Sequence, residues 1–333
     1  MMYILVLLAI ATVFLFVLKV RKIYAGNFIS RFNTIHALTV HPHKVDFESD
    51  SPSFYYADFT RCILNKTHFI NENGVYQIGG SSKETSNLNV CGVSEFAIIN
   101  YEKFLLTKNE DNITAFKANL DWIKENAVSN YGMVYWYYDY DYGNHKAPWA
   151  SAISQGMAIS VLVRGYIYFK DEAYLKLAEL ASETLLKPLH ANGFRYCYDH
   201  FECWLEESNS NSHILNGHIF ALLGIYDLYR CTRNERLLNL FEKGCQDIKN
   251  NISFFELGFS SKYDAIQTYS ADNSYHKIHV VLFDVLSKIT KDDFFTSKAS
   301  AWDRIYTSGR LKFFGFIYTI NDTINQKIIK ICK

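Results

Sequence analysis

The chain reads as a mainly α-helical protein built of helix pairs joined by β-hairpins. Three observations predict this. Amphipathic stretches with apolar residues at helical spacing recur in twos. Between the pairs lie short aromatic, alternating segments that read as hairpins. Proline is scarce, at 4 in 333 residues, so long helices are uninterrupted. Paired helices at this spacing describe an α/α repeat, closed into a toroid or left as an open solenoid.

The elements follow in order. Met1–Leu18 is uncharged and almost wholly apolar, and Lys19, Arg21 and Lys22 come after it. That length meets the threshold of about 18 residues for a spanning helix. A secretory leader would carry its basic residues before the apolar run. The expectation is a transmembrane anchor over 1–20, with the remainder in the cytoplasm, as at a bacterial inner membrane. The alternative is a lumenal Golgi or endoplasmic-reticulum orientation, which the Asn-x-Ser/Thr triplets at Asn65, Asn112, Asn251 and Asn321 would suit. Residues 21–90 read as a tether and a small β-rich or irregular segment, with a strand and turn in Gly74–Ser82. His41 and His43 have no third ligand nearby, so no metal is expected there.

From Cys91 the character changes, and 91–305 reads as the main domain, with 306–333 as a tail. Helices are predicted over Val93–Thr107 and Asn112–Asn126, followed by the aromatic ribbon Tyr131–Tyr142. Pro148 is expected to open a third helix, and Asp171–Leu186 forms a fourth. Asn192–Trp204 alternates like a hairpin, which Cys197 and Cys203 flank and could bridge. Helices over Ser212–Arg230 and Asn234–Asn251 come next, then a β-like link over Ile252–Tyr269. The last two helices are Asn273–Ile289 and Asp292–Ile305.

Composition narrows the function. With 34 basic and 34 acidic residues, charge gives no sign of a nucleic-acid partner. The 7 cysteines are scattered without a CxxC pair, so neither a zinc ribbon nor a disulfide framework is indicated. The 24 Tyr and 25 Phe suit sugar faces as well as cores.

Two constellations carry chemistry. Glu206 and Glu207 precede the helix over Ser212–Arg230. The backbone N–H groups of a helix start favour anions, so this is a place for acid/base work on an acidic substrate. Taken alone, such a pair is more often a solvated surface feature. Tyr275, His276 and His279 open the helix at 273. Tyr275 at a helix N-terminus is expected to have a lowered pKa and to exchange a proton. The two histidines share a helix face and read as core or ligand-binding groups before metal ligands.

Together these stretches resemble the C-terminal domain of the D-glucuronyl C5-epimerases. The resemblance is carried by Ala147–Tyr166 (APWASAISQGMAISVLVRGY), the Glu-Glu before SHILNGHIFALLGIYDL, Tyr263-Asp264, and Tyr275-His276 with His279. It implies an α/α toroid inverting C5 of D-glucuronate to L-iduronate in heparosan or heparan-type chains. It implies Glu207 as the base, Tyr275 as the acid on the opposite face, and Asn216 and Tyr263 as substrate-binding residues. Arg195 is a candidate for the substrate carboxylate because a guanidinium fits it bidentately, and His276 and Gln155 are further binding candidates. No cofactor or metal is implied, and the expected partners are an acidic polysaccharide, the membrane through the N-terminal helix, and a second copy as a homodimer. The chain departs from the family pattern at Ser208, where the animal enzymes carry tyrosine, and at Ile266, beside Gln267, where the family carries arginine. Other readings are a uronic-acid lyase, a glycoside hydrolase pairing Glu207 with Asp139 or Asp141, or an inactive glycan-binding protein.

Overall fold

A computed structural model describes residues 39–40, 45–47, 49, 51–59, 68–78, 88–142, 145–207, 212–266 and 270–308. The apolar run Met1–Leu18, the glycines closing the 74–82 turn, Ser208 and Gln267 lie outside the described residues. Among the described residues no helix is long and apolar enough to cross a membrane.

The molecule is mainly helical. The helices are α1 (Val90–Thr107), α2 (Glu110–Glu125), α3 (Ala152–Phe169), α4 (Glu172–Leu186), α5 (Leu215–Thr232), α6 (Glu235–Asn251), α7 (Asn273–Thr290) and α8 (Asp293–Thr307). They form consecutive hairpins, and each hairpin turns in the same way. Lys108, Lys170, Arg233 and Lys291 end the odd-numbered helices in the left-handed conformation at φ 57°, 57°, 55° and 55°. Each turns its backbone N–H onto a carbonyl of the last turn, at Phe104, Tyr166, Tyr229 and Ser287. The next residue, Asn109, Asp171, Asn234 or Asp292, caps the following helix with its side-chain oxygen. A basic residue at one helix end and an acidic one just inside the next complement both dipoles.

The odd-numbered helices are the inner layer. α1 packs on α3, α3 on α5 and α5 on α7, while each even-numbered helix packs on the outside of its partner. α1, α3 and α5 are accordingly buried around most of their circumference, and α6 is strongly amphipathic. Because the tight turns occupy one end, the longer inter-pair links gather at the other, beside the N-termini of the inner helices.

Those links carry the antiparallel strand pairs. β5 (Val128–Asn130) pairs with β6 (Met133–Tyr135), and β7 (Arg195–Tyr196) with β8 (Trp204–Leu205). Tyr138 bridges Trp149 further along the first link, so Pro148 belongs to this ribbon and not to α3, whose N-cap is Ser151. The link before α7 begins as a 3-10 turn over Ile252–Phe255 and continues through isolated bridges, so it is less β-like than its sequence suggests. Cys197 and Cys203 are free thiols, and no bridge joins them.

Of the N-terminal part, β1 (Thr39–Val40) pairs with β2 (Ala57–Asp58), both against α7, and β3 (His68–Ile70) pairs with β4 (Tyr76–Ile78). Tyr55, Tyr56 and Phe59 belong to the same hydrophobic core as the helices. A buried polar network fixes them. Arg164 of α3 donates to Asp227 of α5 at 2.7 Å and to the carbonyls of Ser53 and Phe54 at 3.1 Å each. Tyr56 Oη donates to the other Asp227 oxygen at 2.8 Å, and Arg230 Nε to the Ser49 carbonyl at 2.8 Å. Both members of the ion pair are fully buried.

Arg164→Ala would strand the Asp227 carboxylate in the core. The expected loss is about 3–5 kcal/mol, read as a lower urea midpoint. A shift worth less than about 1 kcal/mol would show that the network is not what seats the 45–59 segment.

Candidate active site

Glu206 and Glu207 leave β8 toward opposite sides, as successive residues of an extended chain must. Glu206 is fully buried, contrary to the solvated pair that composition favours. Its N–H donates to the Phe194 carbonyl at 2.8 Å, and its carbonyl accepts from Ala152 N, the first residue of α3, at 3.3 Å. Its carboxylate takes the His213 N–H at 3.2 Å and pairs with His213 Nδ1. One residue back, Leu205 N donates to His218 Nδ1 of α5 at 2.9 Å. The backbone at Glu207 is thus fixed from α3, α5 and the β7 side together.

Glu207 points at the first turn of α5. A Cβ on Gly217 would lie 2.4 Å from Glu207 Oε2, so only glycine lets the carboxyl rest there. α5 begins at Ile214 without a side-chain cap. Glu207 Oε2 is buried and has no hydrogen-bond partner. Burial, and then the nearby Glu206 charge, raise its pKa from 4.5 to about 7. Asn216, beside Gly217, is buried, and its Oδ1 is likewise unpartnered.

Tyr263 is brought to the same helix start by the link before α7. Leu215 N donates to the Tyr263 carbonyl at 3.2 Å, and Ile214 bridges Asp264. The Tyr263 and Tyr275 rings meet edge to face at 4.6 Å and 69°, and their hydroxyls are hydrogen-bonded. Tyr275 is held by Asp272, the α7 N-cap, whose carboxylate accepts its N–H at 2.9 Å. Burial, followed by the Glu207 charge, raises the Tyr275 pKa to about 12. The lowered value expected at a helix N-terminus is therefore reversed: burial and the Glu207 charge outweigh both the dipole and the hydrogen bond with Tyr263, which acts to lower it. Since the ring keeps 37% exposure on its outer side, the rise is smaller than for an enclosed phenol. Tyr263 is raised further, again chiefly by burial and Glu207.

Groups in the first turns of α5, α7 and α1 lie within contact or electrostatic range of this carboxyl. Gly217 of α5 touches Glu207, Tyr275 of α7 feels its charge, and so does Cys91 of α1. Ser154 of α3 is tied to Cys91 at 3.5 Å and to Tyr138 by a short hydrogen bond.

Glu207, Tyr275, Tyr263 and Asn216 are therefore collected at one end. The other three candidates are not. Arg195 leaves β7 toward Cys203, whose thiol it hydrogen-bonds, and exerts no resolved effect on Glu207. Gln155 is fully buried and clamps the ribbon, accepting from Trp136 N at 3.2 Å and donating to Val134 O at 2.7 Å and Thr184 Oγ1 at 3.0 Å. His276 is also enclosed, accepting from Ser261 N at 3.0 Å and contacting the Trp302 carbonyl at 3.0 Å. Burial holds it neutral, with a pKa lowered to about 4. His276 and Gln155 have the polar atoms of binding residues, but packing uses all of them. Asp139 is exposed, and Asp141 is held by Lys146 and Ala147 N. Gly217 was legible only as a glycine in a first helical turn, a pattern that marks a close approach when its partner is known.

Residues 126–304 match the family described as D-glucuronyl C5-epimerase C-terminus. A D-glucuronyl C5-epimerase of Caenorhabditis elegans is 29% identical over 174 residues, covering 46% of this chain and 28% of that protein. An uncharacterised protein of Methanocaldococcus jannaschii is 27% identical over 180 residues, covering 52% of this chain and 58% of its own length. The chain thus spans 28% and 58% of these relatives. Among solved structures, a GH76 α-mannanase of Bacteroides thetaiotaomicron matches with a TM-score of 0.49 and 13% identity, over 74% of this chain and 65% of that one. A D-mannose isomerase matches with a TM-score of 0.49 and 13% identity, over 86% and 71%.

The raised pKa of Glu207 has a consequence for stability. In the unfolded chain it ionises near 4.5, and in the folded one near 7. Below 4.5 both states hold the proton and there is no cost. As pH rises through this window only the unfolded state releases it, so stability falls, by on the order of 3 kcal/mol at most. Glu207→Gln should therefore be more stable than wild type at pH 8, by about 1–3 kcal/mol, and equal to it near pH 4. Parallel urea titrations at the two pH values check this.

Proposed function

The chain belongs to the D-glucuronyl C5-epimerase C-terminal family, and on that premise we propose that it inverts C5 of D-glucuronate to L-iduronate in a heparosan-like polysaccharide. The observation that carries this reading is the enclosed Glu207 carboxyl, with a pKa of about 7, electrostatically coupled to the hydrogen-bonded Tyr263–Tyr275 pair. The reading takes the helix hairpins as part of an α/α toroid, for which the ordered packing of α1, α3, α5 and α7 is the support.

The C5–H lies alpha to a carboxylate and is weakly acidic. Glu207, ionised, takes that proton. The C–H electron pair moves into the carboxylate, which becomes an enediolate dianion. The uncapped N-terminus of α5, beside Glu207, stabilises the added negative charge. Tyr275 then gives its hydroxyl proton to C5 from the other face, and the electron pair returns to form the new C–H bond. A pKa of about 12 keeps Tyr275 protonated until that moment. The hydrogen bond from Tyr263 stabilises the phenolate left behind. Solvent proton exchange between Tyr275 and Glu207 resets the site.

Incubation of the protein with heparosan in D2O tests the reaction. The expected result is deuterium at C5 with iduronate formed. An unsaturated chain end would instead identify a lyase and overturn the proposal. The rate should fall as pH drops through about 7, because the base must be ionised. Glu207→Gln should lower turnover by at least about 100- to 10,000-fold. Tyr275→Phe should abolish iduronate while still allowing deuterium to wash into glucuronate, since Glu207 can remove and return a proton on its own face. A Tyr275→Phe protein making iduronate at the normal rate would exclude it as the acid.

A further inference from the structure

The ribbon between α2 and α3 ends in an aromatic tip that the reaction above does not use. Tyr142 is 67% exposed there, and its ring stacks on Trp149 at 6.2 Å and 19°. Trp149 is packed in turn against Tyr138 at 4.2 Å and His145 at 5.1 Å, and its Nε1–H donates to the Tyr140 carbonyl at 2.8 Å. A large aromatic left in water is ordinarily free to fold onto the protein body. This one is held out. Tyr142 and His145 exchange backbone hydrogen bonds at 3.0 and 2.9 Å, and Tyr138 and Trp149 do so at 2.7 and 3.2 Å. Asp141 accepts from Ala147 N at 3.0 Å and from Lys146 Nζ at 2.6 Å, closing the tip.

The base of the ribbon is fixed at the same end of the molecule as Glu207. Tyr140 Oη accepts from Asn89, the α1 N-cap, at 3.0 Å, and Tyr138 bonds to Ser154 in the first turn of α3. Tyr142 also stands close enough to Tyr263 and Tyr275 for its charge to oppose the ionisation of both. The platform therefore lies at the same end of the molecule as the reacting pair, within its electrostatic range, and comes from a different link of the chain.

We propose that Tyr142, backed by Trp149, is a sugar subsite that stacks the pyranose ring next to the reacting uronate in an extended polysaccharide. The inference rests on the assignment of Glu207 and Tyr275 as the reacting pair. A pyranose presents an apolar C–H face ringed by hydroxyls, and it matches an aromatic face with a polar rim. Exposed Asp139 and the Asp141–Lys146 pair supply such a rim. An apolar protein surface would leave those charges buried and unsatisfied, which is costly. The backbone bonds that pair Tyr142 with His145 and Tyr138 with Trp149 hold the two rings in place before the sugar binds, so little ordering is needed.

Calorimetric binding of a heparosan hexasaccharide and of methyl β-D-glucuronide, a single ring, tests this, with the full chain as wild type, Tyr142→Ala and Tyr142→Phe. Tyr142→Ala should weaken hexasaccharide binding about tenfold, the worth of one aromatic stack, and Tyr142→Phe should stay within about twofold. The monosaccharide, which reaches only the reacting position, should bind all three equally. Equal hexasaccharide affinity in wild type and Tyr142→Ala would overturn the subsite, whatever happens to C5 exchange. So would a wild type that binds no hexasaccharide. Tyr142-dependent binding without any C5 exchange would support the subsite and overturn the catalytic assignment alone.

Discussion

At Gly156 and Gly224 the backbones of α3 and α5 touch. A Cβ on Gly156 would lie 2.5 Å from Ala221 Cα, and one on Gly224 would lie 2.2 Å from the Gly156 carbonyl oxygen. Glycine inside a helix costs about 1 kcal/mol against alanine, and here close helix contact offsets that cost. The crossing sets the first turns of α3 and α5 side by side. Only then can the Glu206 carbonyl cap Ala152 while the next residue rests on Gly217. The Arg164–Asp227 pair lies further along the same two helices, so one contact surface seats both the N-terminal segment and the carboxylate. Wider separation of α3 and α5 would loosen both at once.

Hydrogen-bond accounting separates architecture from chemistry in this molecule. Gln155, His218 and His276 are buried, and each joins a link to a helix through bonds at both ends of its side chain. Glu207 Oε2 and Asn216 Oδ1 are buried too, yet nothing in the protein meets them. A buried polar atom without a partner is expensive. Two such atoms lie beside one helix start, near the hydrogen-bonded tyrosine pair, and they are the basis of the proposed site. Ser208 and Ile266 stand where the animal enzymes carry a tyrosine and the family an arginine, and Ile266 points its side chain largely into solvent.

The repeat was written in the chain more plainly than hydrophobic periodicity reveals. Lys108-Asn109, Lys170-Asp171, Arg233-Asn234 and Lys291-Asp292 mark the four hairpin turns, each followed by an acid. Each dipeptide combines a left-handed stop with a side-chain cap, and such local chemistry needs no tertiary partner. Helix limits fell within a few residues of the periodic stretches for the same reason. Pro148 misled because proline suits a first helical turn and a ribbon equally, and only the Tyr138–Trp149 bridge decides between them.

What the sequence determined by itself was local: the helix pairs, their caps, the aromatic links, and the motifs that single out Glu207 and Tyr275. Nearness in sequence sufficed because each depends on bonds spanning a few residues. The tertiary structure alone decided which polar groups face the site and what charge they carry. Tyr275 lies at a capped helix start, which by itself lowers a pKa, yet burial and the charge of Glu207 from another link raise it. Arg195 sits on the strand that pairs with β8, yet its side chain goes to Cys203. Desolvation and orientation are set by whatever packs from far along the chain, and no run of neighbouring residues encodes them.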